Sequence, residues 1–584
     1  MSGHTVCLCF NGKPYSSTGT DTSSPFLTAR GLPLSDFSFQ SYSVYISGAG
    51  RTGQRKWCRM KVGLLTMVAL LASATVAMAA PEGERPHARA LNIGIGAELD
   101  TLDPQRSTRL SASWILLNIC EGLTAYGPDG TAGPGVADRW TVSDDGLIWT
   151  FHLRPDSRWG DGTPVTASDF VESWRRLVDP ATAASFANLL SVVENVPAIL
   201  RGEMAPTALG VQAVDARTLH IRLWRPAPDL PDLLALPFAL PLHPAARVHF
   251  PRAGALVCNG AYRLAEHRLQ EAYVLAPNSN HPAAATLGIP DINLLVTEDA
   301  DAEFKRFRAG ELDVTYTLPA SQLAFAAREV PGSVRIHPAA GLSYIQVNMV
   351  EGPLAGRADL RRALALALDR PAIAGLLGNV PRPALSLIPP GLAGYAPPAS
   401  PDPPQPQRDA QAQALMAAAG YGPQNPLRLT ILHTRNETTR HAVIAASAMW
   451  KKKLGVETTI EVQEARVLAD RVRTGAFGDM VVRSWVSPTL IYAAEILRPG
   501  GAGGLRLADL ALAAQVGAMV GNLDGAVTVA DQHAALARLD AHLRGEAVLI
   551  PVLFGATMRL VSPDLAGWDA NIRDAHIFKY IKWK

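Results

Sequence analysis

DDGLIWTFHLRPDSRWGDGTPVTASDFVESWRRLVDP, residues 144–180, decides how this chain is read. Asp145-Gly146 is a turn pair, and behind it Trp149, Phe151 and Leu153 alternate with polar neighbours, the pattern of a strand with one buried face. A polar, glycine-containing stretch follows. Thr166 then stands three residues before Asp169, close to a capping box, and Phe170, Val171, Trp174 and Val178 fall on one helical face. The hydrophobic period thus changes from two to about 3.6 within one short segment, which makes this a mixed α and β chain.

The same mixture extends in both directions. LNIGIG alternates Leu91, Ile93 and Ile95, and RTLHIRLW alternates Leu219, Ile221 and Leu223, so both are strands. DLRRALALALDRPAIAGLLG spaces Leu360, Leu364 and Leu368 four apart; Pro371 suits the first turn of a second helix and Gly378 its end. HAVIAASAMWKKKLGVETTIEV predicts a helix with lysines in its last turn, a stop at Gly455, and a strand alternating Val456, Thr458, Ile460 and Val462. NVPRPALSLIPPGLAGYAPPASPDPPQPQ, residues 379–407, predicts a stiff surface loop. No internal repeat is present, and the class expected is α/β or α+β lobes.

RKWCRMKVGLLTMVALLASATVAMAAPEG, residues 55–83, has basic residues, an apolar run and Ala77-Met78-Ala79, the parts of an export signal. Met60 would then be the start, residues 60–80 the signal, and residues 1–59 a leader that is untranslated or disordered. A retained amphipathic or membrane anchor is the alternative. Beyond residue 80, 47 Lys and Arg stand against 50 Asp and Glu, so the formal charge of +2 arises in the leader and implies no nucleic-acid surface. Some five hundred residues exceed one core, and two or three lobes are expected. Cys120 and Cys258 are the two cysteines left of five, and both are expected as free, mostly buried thiols. No cysteine closely follows the apolar run, so no lipid anchor is expected. LPDLLALPFALPLHP is broken by prolines and does not read as a span. The product is expected to be soluble and extracytoplasmic.

The motifs of chemistry are missing. There is no H-E-x-x-H, paired C-x-x-C, G-x-S-x-G or phosphate-binding G-x-x-x-x-G-K-[ST]. The histidines are scattered, so no metal site or cofactor is expected. PGGAGGLRL reads as a flexible loop. Binding is favoured over catalysis.

TLDPQRSTRLSASWILLNICEGLTAYGPDGTAGPGVADRWTVSDDGLIWTFHLRPDSRWGDGTPVTASDFVESWRRLVDP resembles the opening of the periplasmic oligopeptide-binding proteins, the extracytoplasmic solute-binding components (family 5) of ATP-driven ABC peptide importers. VCNGAYRL, FRAGELDVTY, ADLRRALALALDR, IAASAMWKKKLGV and VLIPVLF resemble later blocks in the same order. The resemblance covers nearly all of Leu91 to Lys584. It implies an α/β, three-lobed periplasmic binding protein fold, type II-like, with two main lobes joined by two crossover strands and one inserted lobe. Lobe I would take residues 81–121, 232–340 and 556–584, lobe II residues 122–231, and lobe III residues 341–555. The hinge would lie near Ala340-Gly341 and Leu553-Phe554, and ligand would be enclosed as the lobes close.

The resemblance also places ligand-facing residues. In the relatives a carboxylate shortly after a tryptophan holds the peptide's ammonium group. Here VVRSWVSPTLIYA keeps Trp485 and passes to Val486-Ser487-Pro488 with no acid, as if shortened. A second cleft tryptophan matches Ala465, a cleft tyrosine matches Phe186, and the cysteines of a relatives' disulfide match Gly341 and Val486. Phe186, Tyr316, Thr317, Tyr344 and Trp485 fall on positions that line or adjoin the cavity, with ordinary core or hinge packing as the alternative. Arg483 stands one step out of phase with an arginine of the relatives, which on a strand turns it to the other face. NGAY, Asn259 to Tyr262, is read as structural. The implied function is capture of peptides or peptide-like solutes by a periplasmic monomer and delivery to an inner-membrane ABC permease with its ATPase subunits, with no nucleic acid bound. Non-peptide ligands of the same superfamily (a nickel chelate, haem, a sugar) are the nearest alternative. A cytoplasmic regulator would need a helix-turn-helix that the leader lacks, and an exported enzyme has no supporting constellation.

Overall fold

The computed structural model describes residues 89–584, apart from residues 249, 252–254, 398–402 and 502, together with the backbone of three short strands before them. Those strands, Val6–Cys7, Val44–Ile46 and Cys58–Met60, pair antiparallel in chain order, a minimal sheet within what the sequence reads as a leader. The signal segment after Met60, with its cleavage site, lies outside the described residues. Residues 87–584 form one compact unit.

The opening stretch folds as its two periods require. Ile148–Leu153 is a strand burying Trp149, Phe151 and Leu153, and Ala167–Val178 is a helix burying Phe170, Val171, Trp174 and Val178. The Thr166 N–H donates to the Asp169 carboxylate at 2.8 Å, which supplies one of the caps a helix start needs. A four-stranded antiparallel sheet in the order 137–142, 148–153, 218–222, 211–215 packs its inner face under this helix. Each large side chain buried there contributes about 1.5–3 kcal/mol.

A second sheet runs Tyr262–Arg268, Ala272–Pro277, Ile292–Leu295, Leu91–Gly94, antiparallel except for its last, parallel pair. Its core gathers Leu91, Ile93, Trp114, Tyr262, Leu294 and Phe578 from widely separated parts of the chain. The third sheet has six strands in the order 382–383, 549–560, 334–347, 480–486, 428–434, 457–463, with the last three mutually parallel.

Two of these strands are long. Val334–Val347 and Leu549–Leu560 pair from Val334 opposite Leu560 to Gln346 opposite Leu549, but the register breaks between Pro338 and Leu342. Gly341 and Gly555 meet at that break: a Cβ on Gly555 would lie 3.3 Å from the Gly341 Cα. Without side chains the two backbones pass close together. Val561 then bridges to Val314, which bridges to Ile93, so the chain leaving the third sheet ends on the edge of the second. This is the geometry of a two-strand hinge.

Three expectations are corrected. Cys120 and Cys258 are joined in a disulfide, with Cα atoms 4.9 Å apart, rather than being free thiols. The end of the helix Leu110–Ile119 and the loop before Gly260 meet so closely that a Cβ on Gly260 would lie 2.5 Å from the Ile119 carbonyl carbon, and this brings the sulfurs together. The proline-rich stretch is not all surface: Leu387, Ile388, Leu392 and Tyr395 are buried in the core of the third sheet. Glu457–Gln463 is a strand as expected, but it is the sheet's edge and leaves Ile460 and Val462 exposed.

Candidate functional site

Val481, Arg483 and Trp485 project from one face of the strand Met480–Val486, since side chains two apart share a face. Across the ladder Leu342 opposes Trp485 and Tyr344 opposes Arg483, so Tyr344 and Trp485 lie on the same face of the hinge sheet. Arg483, expected on the other face, is corrected to this one, because it stands two residues from Trp485 on the same strand and opposite Tyr344. Its guanidinium donates to the Gln346 side chain at 3.2 Å and to the Gly503 carbonyl. The Tyr344 hydroxyl is buried without a hydrogen-bond partner, and burial pushes its pKa up, with Arg483 acting the other way. The Trp485 Nε1–H is likewise buried without an acceptor.

Tyr492 is a residue of this site that no motif or spacing singles out. Its ring stacks on Trp485, centroids 4.8 Å apart and planes 22° off parallel, and it also packs against the core formed by residues 123–239. It sits on the short helix Leu490–Glu495, whose first turn is held by the Thr489 hydroxyl accepting the Tyr492 N–H at 3.2 Å. The segment leading in is tied at three points. The Ser487 N–H donates to the Ala340 carbonyl at 2.8 Å, and Arg573 Nε donates to the Pro488 carbonyl at 3.2 Å. The Ile491 N–H donates to Asp229 at 3.0 Å. Both anchoring side chains are themselves committed. Arg573 also bonds Asp232 at 2.7 Å and the Gly130 carbonyl at 3.1 Å, while Asp229 accepts from Gln532 at 2.8 Å. Glu495, the acid closest in sequence, pairs with Arg498 at 3.2 Å.

Tyr316 and Thr317 lie at the other end of the hinge. The Tyr316 ring meets Trp114 edge-on at 5.6 Å, and Arg559 lies 4.6 Å from the centre of that indole. Gly96 adopts a left-handed conformation there, where a Cβ would come 3.1 Å from the Tyr316 ring. Asp574 organises this corner. Its carboxylate binds Arg559 and His576, and its carbonyl accepts the Trp114 Nε1–H at 2.8 Å. Trp568 stacks on His576 at 4.0 Å, and burial lowers the His576 pKa. Glu303 lies behind Tyr316 and Thr317 and accepts the Thr317 N–H at 3.4 Å; burial pushes its carboxyl up to about 7. Phe186 packs partly buried against the core formed by residues 123–239.

The five sequence-derived positions thus fall into three groups: Tyr344 with Trp485, Tyr316 with Thr317, and Phe186. Among the described residues no hydrogen bond or ring contact joins one group to another. No group of three or more His, Cys, Asp or Glu among them is placed to hold a metal ion, and none of their helices is long and apolar enough to cross a membrane. What the arrangement offers is aromatic area and hydrogen-bond donors around a hinge between lobes.

Comparison with known proteins decides what such an arrangement belongs to. The family model for bacterial extracellular solute-binding proteins, family 5, matches residues 131–490. The chain belongs to this family. It is 38% identical over 394 residues to the periplasmic murein peptide-binding protein MppA of Escherichia coli, covering 66% of this chain and 73% of that one. It is 31% identical over 493 residues to the probable deoxycholate-binding periplasmic protein YgiS of the same organism, covering 82% and 91%. The unliganded open form of MppA superposes with a TM-score of 0.76 at 33% identity, over 86% of this chain and 99% of that structure. The mixed α/β, multi-lobed architecture of this chain is the fold of that family.

Proposed function

We propose that this protein is the extracytoplasmic solute-binding component of an ABC importer, capturing amine-masked peptides or a peptide-like solute between its lobes. It would act in the periplasm as a monomer and deliver to an inner-membrane permease. Family membership supports the role, and the name of the murein peptide-binding relative supports the ligand class. The lobes would be residues 81–121, 232–340 and 556–584, residues 122–231, and residues 341–555.

One observation carries the amine-masked preference. On the Trp485 face the buried groups with open valence are the Trp485 Nε1–H and the Tyr344 hydroxyl, and the charged neighbour is Arg483. Indole N–H donates only, and a guanidinium repels an ammonium group. Residues 486–490 supply no acid to receive one. A ligand carbonyl or carboxylate satisfies these groups, whereas a free ammonium there would lose a charge-assisted bond, about 1–3 kcal/mol. At about 1.4 kcal/mol per factor of ten, free peptides should bind about 5- to 150-fold more weakly than blocked ones. Calorimetry of the mature chain with matched free and N-acetylated tri- to pentapeptide pools tests this, and tighter binding of the free-amine pool refutes it.

A further inference from the structure

We propose that Tyr492 is the end wall of the ligand cleft and sets the length of ligand admitted, an inference that rests on the capture reading above. Tyr492 is the point where an aromatic side chain of the hinge-sheet lobe reaches the inserted lobe. One side of its ring covers Trp485 and the rest packs on the inserted lobe's core. A ligand running along Trp485 toward the inserted lobe ends there.

The wall is also built to stay in place. A lone tyrosine on a surface loop changes rotamer on a picosecond to nanosecond scale and obstructs nothing for long. Tyr492 is carried by backbone bonded to three different parts of the molecule: Ser487 to the hinge strand at Ala340, Pro488 to Arg573, and Ile491 to Asp229. Arg573 and Asp229 are both almost fully buried and are fixed by further partners, Asp232 and Gln532, so moving the segment away would leave a buried donor on Arg573 and a buried acceptor on Asp229 without their bonds. Moving the backbone under Tyr492 would break these buried hydrogen bonds, and turning its ring to another rotamer would break the stack on Trp485 and the packing on the inserted lobe.

The test uses N-acetylated alanine peptides of two to six residues, titrated calorimetrically into the mature wild-type chain, Tyr492→Ala and Tyr492→Phe. The wall predicts a wild-type affinity that falls at least tenfold between the preferred length and six residues. Tyr492→Ala should recover at least tenfold for the longest peptides, and Tyr492→Phe, which keeps the ring, should match wild type. Should the alanine variant fail to fold, Tyr492→Leu shortens the wall while keeping apolar contact with the inserted lobe. If wild type and Tyr492→Ala bind with the same length profile, the wall is overturned and peptide capture stands. If neither binds any peptide of the series, capture is overturned and the wall with it.

Discussion

Breaking the Cys120–Cys258 bond should loosen one lobe more than the rest of the molecule. The two cysteines are 138 residues apart in sequence, and the loop they close contains the whole of residues 122–231, the proposed inserted lobe. Closing a loop of that length in the unfolded chain removes about 17 cal/mol/K of entropy, or about 5 kcal/mol at 25 °C, and relaxation in the native state takes the measured figure below this ceiling. Unfolding entropy is about 2.1 cal/mol/K per residue. If some five hundred residues melt together, 5 kcal/mol lowers the transition by about 5 °C; if the roughly 110 residues of the insertion melt by themselves, by about 20 °C. Scanning calorimetry of oxidised protein against reduced protein and against Cys120→Ala/Cys258→Ala separates these cases. The reduced wild type keeps the sulfur volume, so it isolates the cross-link from the cavity that alanine leaves. Mass spectrometry of protein purified from the periplasm should show two hydrogens missing. Two alkylatable thiols in that protein, or a melting curve that reduction moves by less than about 1 °C, would refute the reasoning.

Three further outcomes are expected. Glu303 has a folded value near 7 against 4.5 when exposed, so its contribution to stability is full below about pH 4.5 and is lost as pH rises through 7. That loss amounts to about 3 kcal/mol, so Glu303→Gln should flatten the fall in melting temperature between pH 5 and 8; an unchanged slope counts against the assignment. Gly555→Val places a branched side chain against Gly341 at the hinge and should cost about 1–3 kcal/mol, read by urea denaturation, and a neutral result would show that the strands have room to part. The exported protein should begin near Ala80 or Pro81, and tryptic peptides from residues 1–59 in periplasmic material would contradict the signal reading.

Much of the architecture was legible because each lobe contains elements whose period is unambiguous. Residues 144–180 announce a strand and then a helix through Phe151, Leu153, Phe170 and Trp174, and all four are buried. What the sequence could not show depends on which distant segments meet. Cys120 and Cys258 carry no spacing signal, because their pairing is decided by the close approach at Gly260. The prolines at 379–407 fix backbone dihedrals but do not say which side chains between them turn inward, so Leu387 and Tyr395 were hidden in a stretch that reads as loop. Trp114 lies 460 residues before Asp574 in the chain, and only the fold brings it together with Arg559 and Asp574 beside Tyr316.

The site was legible in part for a related reason. The resemblance singles out Trp485 and Tyr344, which the fold puts on one face of a sheet, but nothing in the sequence ties Tyr492 to Trp485, or Asp229 and Arg573 to the segment between them. The structure makes these into one device. Between the strand ending at Val486 and the helix starting at Leu490 the chain has three residues, Ser487, Pro488 and Thr489, and its polar groups must be satisfied at once because Ser487 and Thr489 are buried. Arg573 and Asp229 supply those bonds from outside the segment. A loop this short and this fully bonded has no residue left to carry a carboxylate into the cleft, and it draws Tyr492 onto Trp485. The lack of an acid in residues 486–490 and the aromatic cover both go with this short connection, so placing an acid there alone, as in Val486→Asp, should not create tight binding of free peptides. Lengthening the segment by several residues with the acid included should, in the same calorimetric comparison. A Val486→Asp variant that binds free tripeptides as tightly as blocked ones would separate the two features and show that cover and charge are set independently.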